Sequence, residues 1–327
     1  MNLAYSGKIG QIYKISISNL FLQIITLMTY RPWAKTKMRK YIYSNILIFG
    51  EGLEYSGTGK ELLLGGFKAL IVMISIPILI ITLIVMAIMA ATGSGIFQES
   101  PSTNLAVDVI TYFLITFVYF YAQFAALKYR LNRSRWKSIK GQIKGSASEF
   151  AFFKYKRMLI NILTLGLFIG RSDLLARQYL IERISIGQTP LTFTGNYKAL
   201  DIANIGSLLL ALPTLMLSRL WYANKCRNYF WNSIKIGEYL QMSSTFGFRK
   251  ILWLWFSNIL LIIFTLGLAI PFCLNRSVRY MIENIQINGD QEDAEFLQSD
   301  QNSSGTGDAM VDMIDSSSDF DIDFGIW

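Results

Sequence analysis

The stretch NLFLQIITLMTYRPWAKTKMRKYIYSNILIFGEGLEYSG, Asn19 to Gly57, holds three parts in series. Leu20 to Met28 reads as an apolar helix. Thr29–Pro32 breaks it, because proline removes a backbone donor and crowds the preceding turn. Ala34 to Ser44 then has the spacing of a basic amphipathic helix, and Ile46 to Tyr55 alternates with the period of a strand, a turn and a second strand edge. From Asn19 to Met28 such a helix is only about 15 Å long, half the thickness of a bilayer core.

Five versions of this pattern can be counted along the chain, the mark of a duplicated unit. Their expected bounds are 4–53, 54–148, 149–191, 192–240 and 241–293. A basic residue precedes a glycine by ten positions in each: Lys40/Gly50, Arg135/Gly145, Arg177/Gly187, Arg227/Gly237 and Arg279/Gly289. An aromatic follows each cation by one or two places: Tyr41, Trp136, Tyr179, Tyr229 and Tyr280. A cation beside an aromatic ring at the end of an apolar segment is a usual interfacial anchor. The same five cations are the candidates for binding anionic lipid.

The apolar part differs between units. Unit two carries two full-length spans, Leu70–Ala91 and Leu105–Leu127, joined by Thr92–Asn104, a loop without Lys or Arg that is expected outside. The other units have shorter runs, with breaks expected at Met28, Gly166, Pro213 and Gly267. Two topologies compete for these short segments: hairpins that enter and leave on the cytoplasmic side, or single crossings. The bias of basic residues favours hairpins. Arg171 and Asp173 follow one break closely and are expected to lie at the interface as a local pair; with Thr164 and Thr265 they are also the candidate intramembrane polar site, since charge at membrane depth is commonly functional. Asp108 is expected at the interface, and Asp201 at the start of a helix.

Composition agrees with a membrane chain. Of 327 residues 52% are hydrophobic, and the mean hydropathy is +0.36, too apolar for an ordinary soluble domain. The N-terminus lacks the pattern of a cleaved signal peptide. Charge is segregated: Asp290 to Trp327 holds 11 acids and no base, while all 31 basic residues and the other 11 acids precede it. The body is therefore +20 and the tail −11, giving the net +9. Nucleic acid is set aside as a partner, because the cations flank apolar spans. The Ser-, Gly- and Asp-rich tail, 294–327, is expected to be disordered, with its aromatic end at Trp327 a solvated terminus or, as the alternative, a docking motif for a protein partner or for the chain's own basic face.

The chain has no histidine, which removes His–Cys zinc sites and His-based catalysis. The two cysteines, Cys226 and Cys273, are expected to stay reduced. Gly57–Glu61 is not a phosphate loop, since the upstream glycine and the Ser or Thr after lysine are missing. No catalytic residue, metal ligand or cofactor is assigned, and no enzyme is expected.

Ile24 to Gly66 resembles the YjgN-like family of multi-pass bacterial inner-membrane proteins of unknown function. The matching pieces are the Ile-Thr-Leu run before the break, Pro32-Trp33-Ala34, the Arg39–Tyr41–Asn45 helix, the Gly50 turn and the Tyr55-x-Gly57-Thr58-Gly59 opening. The likeness extends through residues 1 to 290 and excludes the tail. The family has glycine where this chain has Met28; Gly166 and Gly267 keep it, and unit four is shorter than the family pattern. The resemblance implies the bacterial inner membrane and carries over no site residue.

The expected fold is a mainly α integral membrane domain over 1–293. It holds five helix–break–helix–strand units with short strands on the cytoplasmic face. The expected role is non-enzymatic: organising the bilayer, or holding anionic phospholipid on a basic cytoplasmic face, with oligomerisation open. The alternative is a channel or transporter whose broken helices line a solute or lipid path.

Overall fold

The computed structural model describes residues 3–92, 101–137, 139–187, 189–238 and 240–289. The expected disordered tail and most of the expected outer loop lie outside the described residues. Strand β1 (Ala4–Tyr5) leads into helices α1 (Ile9–Ile25) and α2 (Arg31–Ser44), and the chain returns on β2 (Ile46–Ile48). The same order follows in β3 (Glu51–Tyr55), α3 (Gly59–Thr92), α4 (Pro101–Arg133) and β4 (Ser134–Trp136). Next come β5 (Ile139–Ile143), α5 (Ala147–Leu163), α6 (Ile169–Ile181) and β6 (Ile184–Ile186). Then β7 (Thr189–Phe193) passes through a 3-10 turn into α7 (Asp201–Leu209), α8 (Leu217–Asn232) and β8 (Ile234–Ile236). Finally β9 (Leu240–Ser244), α9 (Phe248–Phe264) and α10 (Ile270–Glu283) reach β10 (Ile285–Asn288). Asp201 begins α7, as its position suggests.

The ten strands form one antiparallel meander, each paired with its neighbours in sequence. The Leu3 amide donates to the Ile285 carbonyl at 3.4 Å, so the two ends of the sheet meet. Helix α10 also packs on α1 and on β1. Strand turns occupy one rim, and every helix rises from the other. Alternation explains which residues point inward. Ile46, Ile184, Ile234, Ile285 and Ile287 are buried in one cluster with Leu3, Tyr5, Phe124, Phe230 and Val278.

The glycine register needs correction in one unit. The first residue of each tight strand turn has positive φ: Phe49 (+52°), Lys137 (+48°), Gly187 (+60°) and Gly237 (+63°). The β4–β5 turn therefore runs through Lys137, not through a glycine. Gly145 follows β5 instead, with φ +112°, and Arg135 lies on β4 rather than at the end of a helix. Ten positions before a glycine was a coincidence there. The boundary expected at residue 148 accordingly falls inside α5, and the strand–helix–helix–strand order restarts at Ile139.

Candidate membrane-facing site

Four helix-to-helix turns share one conformation. They are Thr26-Leu27-Met28, Thr164-Leu165-Gly166, Thr214-Leu215-Met216 and Thr265-Leu266-Gly267. The leucine has φ +48° or +49° in each, and the next residue +67° to +89°. The amides of Met28, Gly166, Met216 and Gly267 donate five residues back, at 2.7–2.8 Å, to Gln23, Asn161, Ala211 and Ile262. Each threonine hydroxyl donates to the carbonyl four residues back: Leu22, Ile160, Leu210 or Leu261. The turn thus satisfies its own amide groups.

The four leucines point outward at 87%, 90%, 87% and 94% exposure. Ile24, Ile25, Leu163, Leu212, Ile263 and Phe264 continue the exposed apolar surface beside them. An apolar patch of this extent marks a contact with lipid or protein. The break expected at Pro213 lies within the α7–α8 turn, and the left-handed pair follows it at Leu215–Met216, because the proline ring holds φ negative.

Several polar groups inside the hairpins are taken up by neighbours, although the Asn19 and Asn258 carbonyl oxygens are buried without a hydrogen-bond partner. The Asn19 amide donates to Ala34 O at 3.2 Å, and Ser172 donates to Asn161 at 2.8 Å. Arg219 donates to Asn204 and Ser207 at 3.0 Å, and Asn258 donates to Ser277 at 3.1 Å. The four residues expected to form an intramembrane site do not assemble. Thr164 and Thr265 bond their own helices, and Arg171 pairs with Asp201 across to α7 at 3.0 Å. Asp173 is exposed and interacts electrostatically with Lys154 and Arg177. Residues two apart on a helix do not share a face, so the pairing of Arg171 with Asp173 fails on geometry.

A tyrosine stands five residues before the first residue of β2, β4, β6, β8 and β10: Tyr41, Tyr129, Tyr179, Tyr229 and Tyr280. Each ties the second helix of its unit to the start of the first. The Tyr41 hydroxyl bonds both backbone groups of Lys8, and Tyr229 does the same to Asn196. Tyr280 donates to Gly247 O at 3.4 Å, Tyr129 to the Glu61 carboxylate at 3.1 Å, and Tyr179 to Glu149. Tyr129, not Trp136, is the member from unit two. Sequence reasoning missed it because it counted from glycines; counting from strand starts would have found it.

The five candidate cations are dispersed. Lys40 is exposed on α2, and with Arg135 it lines an open groove of about 520 Å³. The Arg177 guanidinium lies 5.5 Å from the Phe230 ring centre, and that of Arg227 5.6 Å from Phe246. Arg227 also borders a cavity of about 140 Å³, lined otherwise by side chains such as Leu3, Ile46, Trp231 and Met242. Arg279 donates to Gly7 O at 3.2 Å and reaches Glu283 at 4.0 Å. Cys226 and Cys273 are buried free thiols. Among the described residues no three Cys, Asp or Glu side chains gather as metal ligands.

A family model described as "Bacterial protein of unknown function (DUF898)" matches residues 1–206 and 196–313. The chain belongs to the DUF898 family. It is similar to the inner membrane protein YjgN of Salmonella typhimurium, 36% identical over 72 residues, covering 22% of this chain and 18% of that protein. The YjgN of Escherichia coli K12 is 34% identical over 58 residues, 18% of this chain and 15% of the relative. The chain thus matches less than a fifth of the length of these curated relatives. The YjgN-like resemblance read from Ile24–Gly66 stands. No solved structure matches this DUF898 chain.

Proposed function

We propose that the protein is a multi-pass bacterial inner-membrane protein without catalytic activity, which organises the bilayer from one leaflet. The single observation that supports it most is the set of outward leucines at the four turns. In water they would be a liability; in acyl chains they are solvated. The names of its relatives support the location.

Lengths support a division of labour. Helix α1 has 17 residues and extends about 25 Å, whereas α3 and α4, with 34 and 33, extend about 50 Å. Residues 108–133 of α4 are long and apolar enough to cross a membrane. In this reading the long pair crosses, the short hairpins re-enter, and the strands stay on the cytoplasmic side with Lys40, Arg135 and Arg279 near anionic head groups. The five strand–helix–helix–strand segments are then copies of one unit. The apolar filling of the sheet by Ile46, Ile184, Ile234 and Phe230 argues against a conducting path along its axis.

The test is depth. Spin labels at Leu165→Cys and Leu266→Cys, in a Cys226→Ser/Cys273→Ser background, should collide with oxygen and be shielded from a water-soluble nickel chelate in bilayers. Free access of the chelate would overturn the reading.

A further inference from the structure

The groove that brings Lys40 and Arg135 together also holds a carboxylate. Glu54 and Arg135 are directly opposed across the β3–β4 ladder, so their side chains share a face. Such a pair is ordinarily satisfied by mutual contact. Here, among the described residues, neither Glu54, Arg135 nor Lys40 makes an ion pair. The Arg135 Nε is buried without a hydrogen-bond partner. Lys140 opposes Arg135 on its other side, adding positive charge to the Arg135 end. Tyr41, Ser44, Leu53, Tyr55 and Ser56 complete the wall.

Two cations and one anion that forms no ion pair with them, opening onto one space of about 520 Å³, match a ligand with the inverse pattern. We propose that this groove binds a phosphate ester carrying an ammonium group, of the phosphoethanolamine class. Lys40 and Arg135 hold the phosphate and Glu54 holds the ammonium. Guanidinium and ammonium donors form strong charge-assisted bonds to phosphate, and a carboxylate accepts from the ammonium. Depth agrees, and this clause rests on the re-entrant reading above. Lys40 lies nine residues beyond Arg31, about 14 Å along α2. A tip near the bilayer centre therefore sets the groove about half a hydrocarbon thickness away, at the phosphates.

The experiment uses the purified full chain in detergent and calorimetric titration with O-phosphoethanolamine and with glycerol 1-phosphate. The wild type should bind phosphoethanolamine about ten-fold more tightly. Glu54→Gln should erase that preference while keeping phosphate affinity, and Arg135→Gln or Lys40→Gln should weaken both ligands. All three positions are at the surface or partly exposed, and unchanged circular dichroism confirms folding. Equal affinities in the wild type, an unaltered preference in Glu54→Gln, or no binding of phosphoethanolamine overturns the proposal. Nanodiscs of phosphatidylethanolamine against phosphatidylglycerol then identify the source. A Glu54-dependent preference for the former assigns the lipid headgroup, and its absence assigns a soluble phosphoamine. Water-soluble probes in detergent do not depend on hairpin depth, so failure here is separable from failure of the re-entrant reading.

Discussion

The Tyr41 hydroxyl accepts the Lys8 amide at 2.7 Å and donates to the Lys8 carbonyl at 3.1 Å, clamping the start of α1 to the end of α2. The Lys8 amide has no partner within the helix at that end, while the Lys8 carbonyl also accepts from the Gln11 and Ile12 amides at 3.2 and 3.3 Å. Tyr41→Phe should cost about 0.5–1.5 kcal/mol, the ordinary net worth of a hydrogen bond. Hydrogen exchange should rise first at residues 8–12. If Tyr41→Phe and Tyr229→Phe leave both stability and exchange unchanged, the clamp is incidental.

The turns carry backbone strain of differing size. Met28 and Met216 occupy left-handed positions at +69° and +67°, where the equivalent residues are Gly166 and Gly267. A side chain there costs about 1 kcal/mol. Met28→Gly and Met216→Gly should each stabilise the protein in detergent by up to about 1 kcal/mol, and Gly166→Met should destabilise it by a similar amount. Denaturation midpoints check the sign.

Outward leucines separate lipid from water as their solvent. Leu266→Asp should reduce membrane integration, since a carboxylate deep in the bilayer costs about 2.5–3.5 kcal/mol. A control at exposed Lys37 should do nothing. Resistance of Leu266→Asp to carbonate extraction, equal to the wild type, would contradict lipid contact at that tip.

Arg171 and Asp201 join α6 to α7 at 3.0 Å with both side chains about a quarter exposed. Asp201→Asn should cost about 1–3 kcal/mol, because the guanidinium loses its charged partner. The reversed pair Arg171→Asp/Asp201→Arg should recover part of that loss. Absence of coupling in the double variant would show the contact to be decorative.

Alkaline pH offers a separate probe at the strand layer. Burial, and next the nearby Tyr41, push the Tyr5 phenol up to about 12, while Arg279 draws it down. A phenol whose folded value exceeds its unfolded value near 10 stabilises the protein fully below pH 10. That contribution falls as pH rises from about 10 through 12. Tyr5→Phe should flatten this part of the stability curve, measured by denaturation between pH 9 and 12.

Much of this architecture was legible in the order of residues. Gly166 and Gly267 betray their turns because glycine is the cheapest occupant of positive φ. Thr29–Pro32 and Pro213 point near the other two, but Met28 and Met216 hold left-handed positions that no local rule assigns to methionine. The β4–β5 turn was hidden for the same reason, since Lys137 sits where glycine was sought. Long-range partners were beyond reach. Nothing near Arg171 names Asp201, and Asp173 was the closer carboxylate. The groove shared by Lys40 and Arg135 depends on pairing β3 with β4 across the whole of α3 and α4.

The contact between Leu3 and Ile285 has a consequence for biogenesis. Hairpins such as β2–β3 and β8–β9 can zip locally as the polypeptide emerges, but this seam needs both extremities. The first strand must wait, one edge bare, until nearly the whole chain has been synthesised. During that interval Leu3 and Tyr5 are open to mispairing with another nascent copy, which makes the seam the step where a chaperone or the translocation machinery matters most.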